Sequence, residues 1–441
     1  MRNSNRLWLA GAALVVVSLA GCAPADGPAG GADVVELDVA GIPVIYKAVE
    51  ANDVIAIQAV LKGGTANLTP ETQGIEAFMG MLLTRGSESY TKDEFAARAQ
   101  ATGTQIAGQA LYDYSVATMR AVRDHWDASW ELFAEAVLHP TFPEDEVELA
   151  RGQILEGLRS RVDNPDAFLE VMANRLFYAG HPYELDPQGA VESIEALTRD
   201  DLINWHAERM TKENLVLVVI GNVDRADLES KIAETFGALP ATGGTARTAP
   251  LAVPGAQELE IIAREIPTNY IRGQFRAPSL DDPDYPAMQA AITTLSWRLV
   301  EEVRTKRSLS YAVGSGMSQR KSNYGLLYVT AVEPDTTIKV MFNEVDRLQN
   351  ETMTPELLGE FISPYLTGYW MGQETNMGQA TMLATYEVVG GGWENSLDFQ
   401  GKLRSVTPED VQRVASEYIG GYRFAVIGDE EKIDTELITA R

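Results

Sequence analysis

The chain closes each of its two halves on the same short unit. Leu197-Thr198-Arg199-Asp200-Asp201-Leu202 opens a helical stretch that leads to the apolar run Leu217-Val218-Val219-Ile220-Gly221. Val406-Thr407-Pro408-Glu409-Asp410-Val411 opens another that leads to Phe424-Ala425-Val426-Ile427-Gly428. In both, Thr-x-x-Asp is a variant of the capping box, in which hydroxyl and carboxylate satisfy free amide groups at a helix start. Pro408 stands at the first helical position, where its missing N–H costs nothing. Helix–strand units are common, and two of them match by chance often enough. The same order at the end of both halves favours duplication, and so a fold of two similar domains. Residues 239–255 are rich in Gly, Pro and Thr and carry no period, as expected of a connection. The expected division is a domain at 35–245, a linker at 246–251 and a second domain at 252–441.

Within the first domain, Val44 to Ala48 and Val54 to Leu61 read as strands, with Pro43 just before the first of them. A helical run follows from Gly74 to about Leu83, and a capping box at Thr91-Lys92-Asp93-Glu94 starts another. Residues 104–121 are rich in strand formers, while 124–138 and 143–163 have helical periodicity. Strands and long helices mix without strict alternation. That order predicts an α+β fold, each domain a mainly antiparallel sheet with helices packed on it.

Residues 1–21 read as a targeting segment: Arg2 and Arg6 precede an apolar stretch from Leu7 to Ala20, too short to stay in a bilayer as a stop-transfer helix. It ends in Leu19-Ala20-Gly21-Cys22, which resembles a bacterial lipobox with Cys22 as the lipidated residue. The bland alternative is an ordinary signal peptide with a stray cysteine, but Cys22 is the single cysteine of the chain and stands at the required place. By similarity to Gram-negative lipoproteins, Ala23 rather than Asp after the cysteine implies a periplasm-facing protein anchored at the outer membrane. Residues 22–34, rich in Pro, Gly and Ala, read as a flexible tether. No other stretch has 18 uninterrupted apolar residues, so membrane contact is expected through the lipid alone. A formal net charge of −27 argues against nucleic acid as a partner.

The run Gly74-Ile75-Glu76-Ala77-Phe78-Met79-Gly80-Met81-Leu82-Leu83-Thr84-Arg85-Gly86-Ser87 resembles the signature helix of the pitrilysin/insulinase family of zinc peptidases. In that family His-x-x-Glu-His supplies two zinc ligands and the general base for the attacking water. Here the flanks match and the chemistry does not: Ala77 and Met81 stand at the two His positions and Gly80 at the Glu position. Ala and Gly have no ligand atoms, a Met thioether suits Cu(I) better than Zn, and Gly80 accepts no proton. The family's distal Glu ligand falls near Glu156 or Gly157, and Glu156 reads as an exposed helix residue. The chain's four histidines, His125, His139, His181 and His206, include no pair four residues apart, so a displaced zinc motif is disfavoured. His181-Pro182-Tyr183 resembles a loop motif of the family rather than a ligand set. No metal site and no cofactor are expected on this chain.

The second domain holds the other match. Arg304-Thr305-Lys306-Arg307-Ser308-Leu309-Ser310-Tyr311 resembles the family segment in which an Arg and a Tyr seven residues later reach the zinc site of the other half; Ser308 departs from it, where many members have Gly. The resemblance implies that Tyr311 donates to the oxyanion of peptide hydrolysis and that the Arg304 fork holds a substrate carbonyl. Without it, Arg304 is a cation favoured at a helix C-terminus and Tyr311 an ordinary strand-start residue. In one group of these peptidases two chains pair as halves of a clamshell, one with the zinc motif and one with Arg and Tyr, and this chain has the second inventory. The implied function is a non-zinc-binding subunit of a zinc endopeptidase, with zinc on a homologous partner chain and peptides as substrates. The alternative is a peptide-binding or scaffold protein of the same fold without enzymatic role.

Overall fold

The computed structural model describes residues 33–439 apart from Pro254 and Ala256. The leader, Cys22 and most of the expected tether therefore lie outside the described residues.

Two sheets carry the architecture, and each draws all its strands from one half of the chain. The first contains β1 (Val35–Val39), β2 (Ile42–Ala48), β3 (Val54–Lys62), β4 (Gln105–Ala110), β5 (Tyr114–Val122) and β6 (Leu215–Gly221), in the order β1-β2-β6-β3-β5-β4. The second contains β7 (Glu258–Ala263), β8 (Asn269–Arg276), β9 (Val313–Met317), β10 (Tyr324–Ala331) and β11 (Arg423–Gly428), in the order β7-β11-β8-β10-β9. Without β1, the two orders are the same when read along the chain. Each sheet has a single parallel pairing, β2 with β6 and β7 with β11, and is otherwise antiparallel. The repeated unit of the sequence is thus the helix before the last strand of each half, Arg199–Arg209 or Pro408–Tyr418, plus that strand, which returns to the interior of the sheet. β6 and β11 are buried along their whole length, as their continuous apolar runs require.

Local sequence accounts for the element boundaries. Thr198 and Thr407 each accept from the amide three residues on, while Asp201 and Asp410 reach back to the threonine amides, so both capping boxes form. Thr91 and Glu94 close a third. β1, which the sequence reading did not mark as a strand, forms with β2 a hairpin whose two turn residues, Ala40 and Gly41, have φ of 55° and 84°. Pro43 falls inside β2 rather than before it. It pairs with Asp38 and precedes the first residue that pairs with β6, Val44, so no ladder bond to β6 is lost.

The two halves are joined by an exchange of helices. The helix Pro165–Phe177, from the first half, packs on β8 and β11 of the second sheet. The helix Asn376–Val389, from the second half, packs on β3 and β6 of the first. Leu169, Met172 and Ala173 bury themselves with Ala425 and Ile427, while Ala380, Leu383 and Ala384 join the cluster that holds Val60, Val218 and Ile220. Full burial of such a side chain contributes about 1.5–3 kcal/mol. Polar contacts fix the register at both places. Gln58 donates to Thr381 at 2.7 Å and Asn376 to the Val54 carbonyl at 2.6 Å. Gln274 donates to Asn174 at 3.1 Å and Arg423 to the Leu176 carbonyl at 2.5 Å. Because each sheet loses one face of its core if the other half unfolds, the two halves are expected to melt as one transition. Calorimetry should give a single endotherm whose midpoint matches that of the far-ultraviolet signal; two separated endotherms contradict the exchange as a stabilising device.

Candidate functional site

The degenerate motif lies on the helix Ile75–Leu82, entered through Gly74 at φ 88°, a left-handed conformation that glycine tolerates. This helix packs on β4, the outermost strand of its sheet. Ala77 and Gly80 are half-buried and Met81 is exposed. Gly80 faces Gly108 of β4 so closely that a Cβ on Gly80 would stand 3.2 Å from the Gly108 carbonyl carbon, and a Cβ on Gly108 would stand 2.4 Å from the Gly80 Cα. The two glycines meet backbone to backbone. The helix therefore rests on the strand in the space where a glutamate at position 80 would begin. Under it is a cavity of about 60 Å³, walled by Met79, Leu83, Val137 and His206 among others, with room for little more than water.

Glu76, one residue before Ala77, is a feature the sequence reading passed over. It is buried, its Oε1 has no hydrogen-bond partner, and burial pushes its carboxyl up from the ordinary range, against the pull of the Arg209 guanidinium. A glutamate amid apolar helix positions was the available signal. Glu156 is exposed on the helix Glu144–Asp163. Among the described residues no group of three His, Cys, Asp or Glu is gathered as a metal site would need.

The histidines have other partners. His181 accepts the Tyr183 amide on Nδ1 at 3.1 Å, which leaves Nε2 to donate to the Pro250 carbonyl at 2.8 Å, so the ring ties its loop to the connection between the halves. His206 Nε2 lies 2.8 Å from the Val137 carbonyl. Burial lowers the pKa of both rings, which keeps them neutral.

Arg304 and Tyr311 come together at the other place the sequence singled out. The helix Tyr285–Leu299 continues as a π-helical stretch, Val300–Thr305, in which Lys306 N–H donates to Glu301 five residues back. The chain then turns through Ser308 at φ 53°, a strained conformation for a residue with a side chain and the place where glycine is common in the resembling segment. This turn brings Tyr311 back under Arg304, whose guanidinium carbon is 4.0 Å from the ring centroid. Three cations stand at this helix end. Lys306 and Arg307 both bind Glu302, and their hydrogen bonds hold its carboxyl down at about 2. Arg304 makes no ion pair among the described residues, and Tyr311 is 80% exposed. The pair thus offers a guanidinium and a phenol to something outside the chain.

Comparison with known proteins finds similarity over both halves of the chain. Residues 44–186 match the family described as insulinase (peptidase family M16), and residues 196–363 match the peptidase M16 inactive domain. The zinc protease PqqE of Helicobacter pylori is 23% identical over 396 residues, covering 87% of this chain and 88% of its own. An uncharacterized zinc protease of Mycobacterium tuberculosis is 24% identical over 371 residues, covering 80% and 84%. A solved peptidase M16 inactive domain from Pseudomonas fluorescens has a TM-score of 0.82 at 21% identity, covering 90% of this chain and 98% of that one. A solved protease from Helicobacter pylori has a TM-score of 0.81 at 19% identity, covering 90% and 100%. These likenesses carry the two-domain α+β architecture.

The glycine contact generates a stability prediction. Gly108→Ala brings its new methyl to within 2.4 Å of the Gly80 Cα and should cost about 1–3 kcal/mol. Gly80→Ala, with a milder 3.2 Å approach and a helix-propensity gain of about 1 kcal/mol, should be close to neutral. Urea denaturation of both variants checks this, and equal stability of the two would show that helix and strand do not meet as described.

Proposed function

The chain belongs to the insulinase family, peptidase family M16, as a member whose motif positions carry no zinc ligand, and from that premise we propose that it completes the active site of a zinc-bearing partner chain. The partner is a homologous peptidase subunit that holds the zinc and its general base, and the substrates are peptides. That zinc would supply an activated water for peptide hydrolysis, and negative charge would then develop on the scissile carbonyl oxygen. The Tyr311 hydroxyl donates to that oxygen, and the Arg304 fork holds a neighbouring substrate carbonyl. The observation that carries this reading is the state of the pair. Tyr311 is 80% exposed and Arg304 has no carboxylate partner among the described residues, although the two cations beside it are neutralised by Glu302. Cation and phenol left free side by side suit a charge that arrives with another molecule. The second reading, a peptide-binding or scaffold protein, is favoured by one observation: the Gly80–Gly108 contact closes the place of the lost general base.

Tyr311→Phe separates the two readings. It removes one hydroxyl from an exposed ring, so folding and pairing should be unchanged. Turnover of the assembled pair should fall about 10²-fold or more, with little change in substrate affinity. Arg304→Lys keeps the charge and loses the fork, and should also lower rate or affinity. An active pair whose turnover ignores Tyr311→Phe would falsify the completing role and leave the scaffold reading.

We further propose that Cys22 is the lipidated first residue of the mature chain and that the protein is held at the outer membrane, facing the periplasm, by that lipid alone. The mass of the mature protein from membranes should correspond to a chain beginning at Cys22 with added acyl groups. A mature N-terminus elsewhere rules this out.

A further inference from the structure

A cavity of about 510 Å³ opens at the junction of the two halves. Its walls come from the end of β4 and the turn into β5, the helix Pro165–Phe177, the loop at Asp186 and the turn between β9 and β10 that carries Arg320. None of the residues of the degenerate motif and neither Arg304 nor Tyr311 lines it.

Arg320 is its unusual member. Its guanidinium carbon lies 3.5 Å from the centroid of the Tyr112 ring, 5.1 Å from that of Tyr324 and 5.7 Å from that of Tyr178, so three rings from both halves hold the group in place. Its Nη1 is buried and has no hydrogen-bond partner. Arg320 also forms no ion pair within 4 Å among the described residues, while Asp113 and Asp186 on the cavity wall have close donors of their own and Glu170 has a longer contact. Asp186 binds Arg161 at 2.7 Å, and Glu170 lies 3.9 Å from Arg272. Asp113 accepts from the Tyr183 hydroxyl and from the Lys321 amide. Arg320 is thus a cation held by stacking, near enough to the Asp113 carboxyl for its charge to act on it, with an Nη1 that has no hydrogen-bond partner among the described residues, on the wall of a cavity large enough for a few amino-acid residues. A buried donor without a partner is unfavourable by itself, and a planar guanidinium is matched by a carboxylate in two parallel hydrogen bonds.

We propose that this cavity is a carboxylate site in which Arg320 receives the terminal carboxylate of a peptide. The carboxylate chemistry stands on Arg320. The choice of a peptide rests on the peptide-substrate reading above, together with the size of the cavity. The guanidinium contributes charge and geometry, the tyrosine rings keep it oriented, and Asn174 on the helix wall adds a neutral polar group. The site binds and orients; no covalent step is assigned to it.

Binding is tested on the full chain without any partner, so the result is independent of the Tyr311 turnover experiment. Equilibrium dialysis at about 0.15 M salt, where long-range repulsion by the acidic surface is screened, is run with three probes. These are a randomised tetrapeptide pool with free C-termini, the same pool with amidated C-termini, and acetate. Free-acid peptides should be retained at least about 10-fold better than amides, because only they offer a charged acceptor to the fork. Arg320→Gln should abolish that preference, and Arg320→Lys should keep part of it. The acid-against-amide contrast on the unaltered chain stands even where Arg320→Gln disturbs the stacked tyrosines. Acetate displacing the peptides mole for mole keeps the carboxylate site and assigns it to small acids. Equal retention of acid and amide, or retention of neither, overturns the proposal.

Discussion

The exchange of one helix between the halves is the constraint on which the rest of the structure depends. Neither sheet is complete with elements from its own half. The first is covered by Asn376–Val389, seated through buried Leu and Ala side chains, and the second by Pro165–Phe177, seated through buried Leu, Met and Ala side chains, and both are registered by side-chain amides. This fixes how β4 and β9, the outer strands of the two sheets, stand relative to one another. It also places the cavity that holds Arg320. The same exchange explains why the His181 loop is tied to the connection at Pro250: that contact lies where chain from one half passes to the other.

Much of this was legible from residues because the signals are local. Capping boxes at Thr198 and Thr407 and the runs ending in Gly221 and Gly428 involve neighbours in sequence, and such patterns specify helix starts and buried strands without tertiary information. The pairing of Arg304 with Tyr311 was also within reach, since seven residues of helix end and turn separate them. What the sequence did not disclose depends on contacts between distant segments. Gly80 reads as an unremarkable loss of a glutamate until Gly108 is found against it. Arg320 reads as one cation of a polar turn until Tyr112 and Tyr178, from the other half, are found stacked on it. Glu76 sits between these cases. Its position in an apolar helix was visible, but its burial beside Arg209 was not.

The two halves have treated the same architecture differently. In the first, the helix Ile75–Leu82 lies against β4 through a pair of glycines, and the residues that would do chemistry are absent. In the second, the corresponding helix lies against β9, where a Cβ on Gly314 would stand 3.4 Å from the Ser296 hydroxyl, a looser approach that leaves a polar side chain between helix and strand. Its end is elaborated into the π-helical stretch and the strained turn at Ser308, and the neutralisation of Lys306 and Arg307 by Glu302 isolates Arg304 as the free cation of that surface among the described residues. Strain at Ser308 of about 1–2 kcal/mol is tolerated where the turn sets the spacing of two exposed groups.

The exchanged helices also bear on how such a chain can change over generations. A half whose motif positions carry Ala77, Gly80 and Met81 is no longer held in place by metal chemistry at those positions. Yet its sheet is the bed on which Asn376–Val389 lies, and its own Pro165–Phe177 is the lid of the other sheet. Deleting the first half would strip a core face from the second, and cutting the connection between them would leave two fragments still clasped. The exchange thus ties the persistence of each half to the packing of the other, whatever chemistry either one performs.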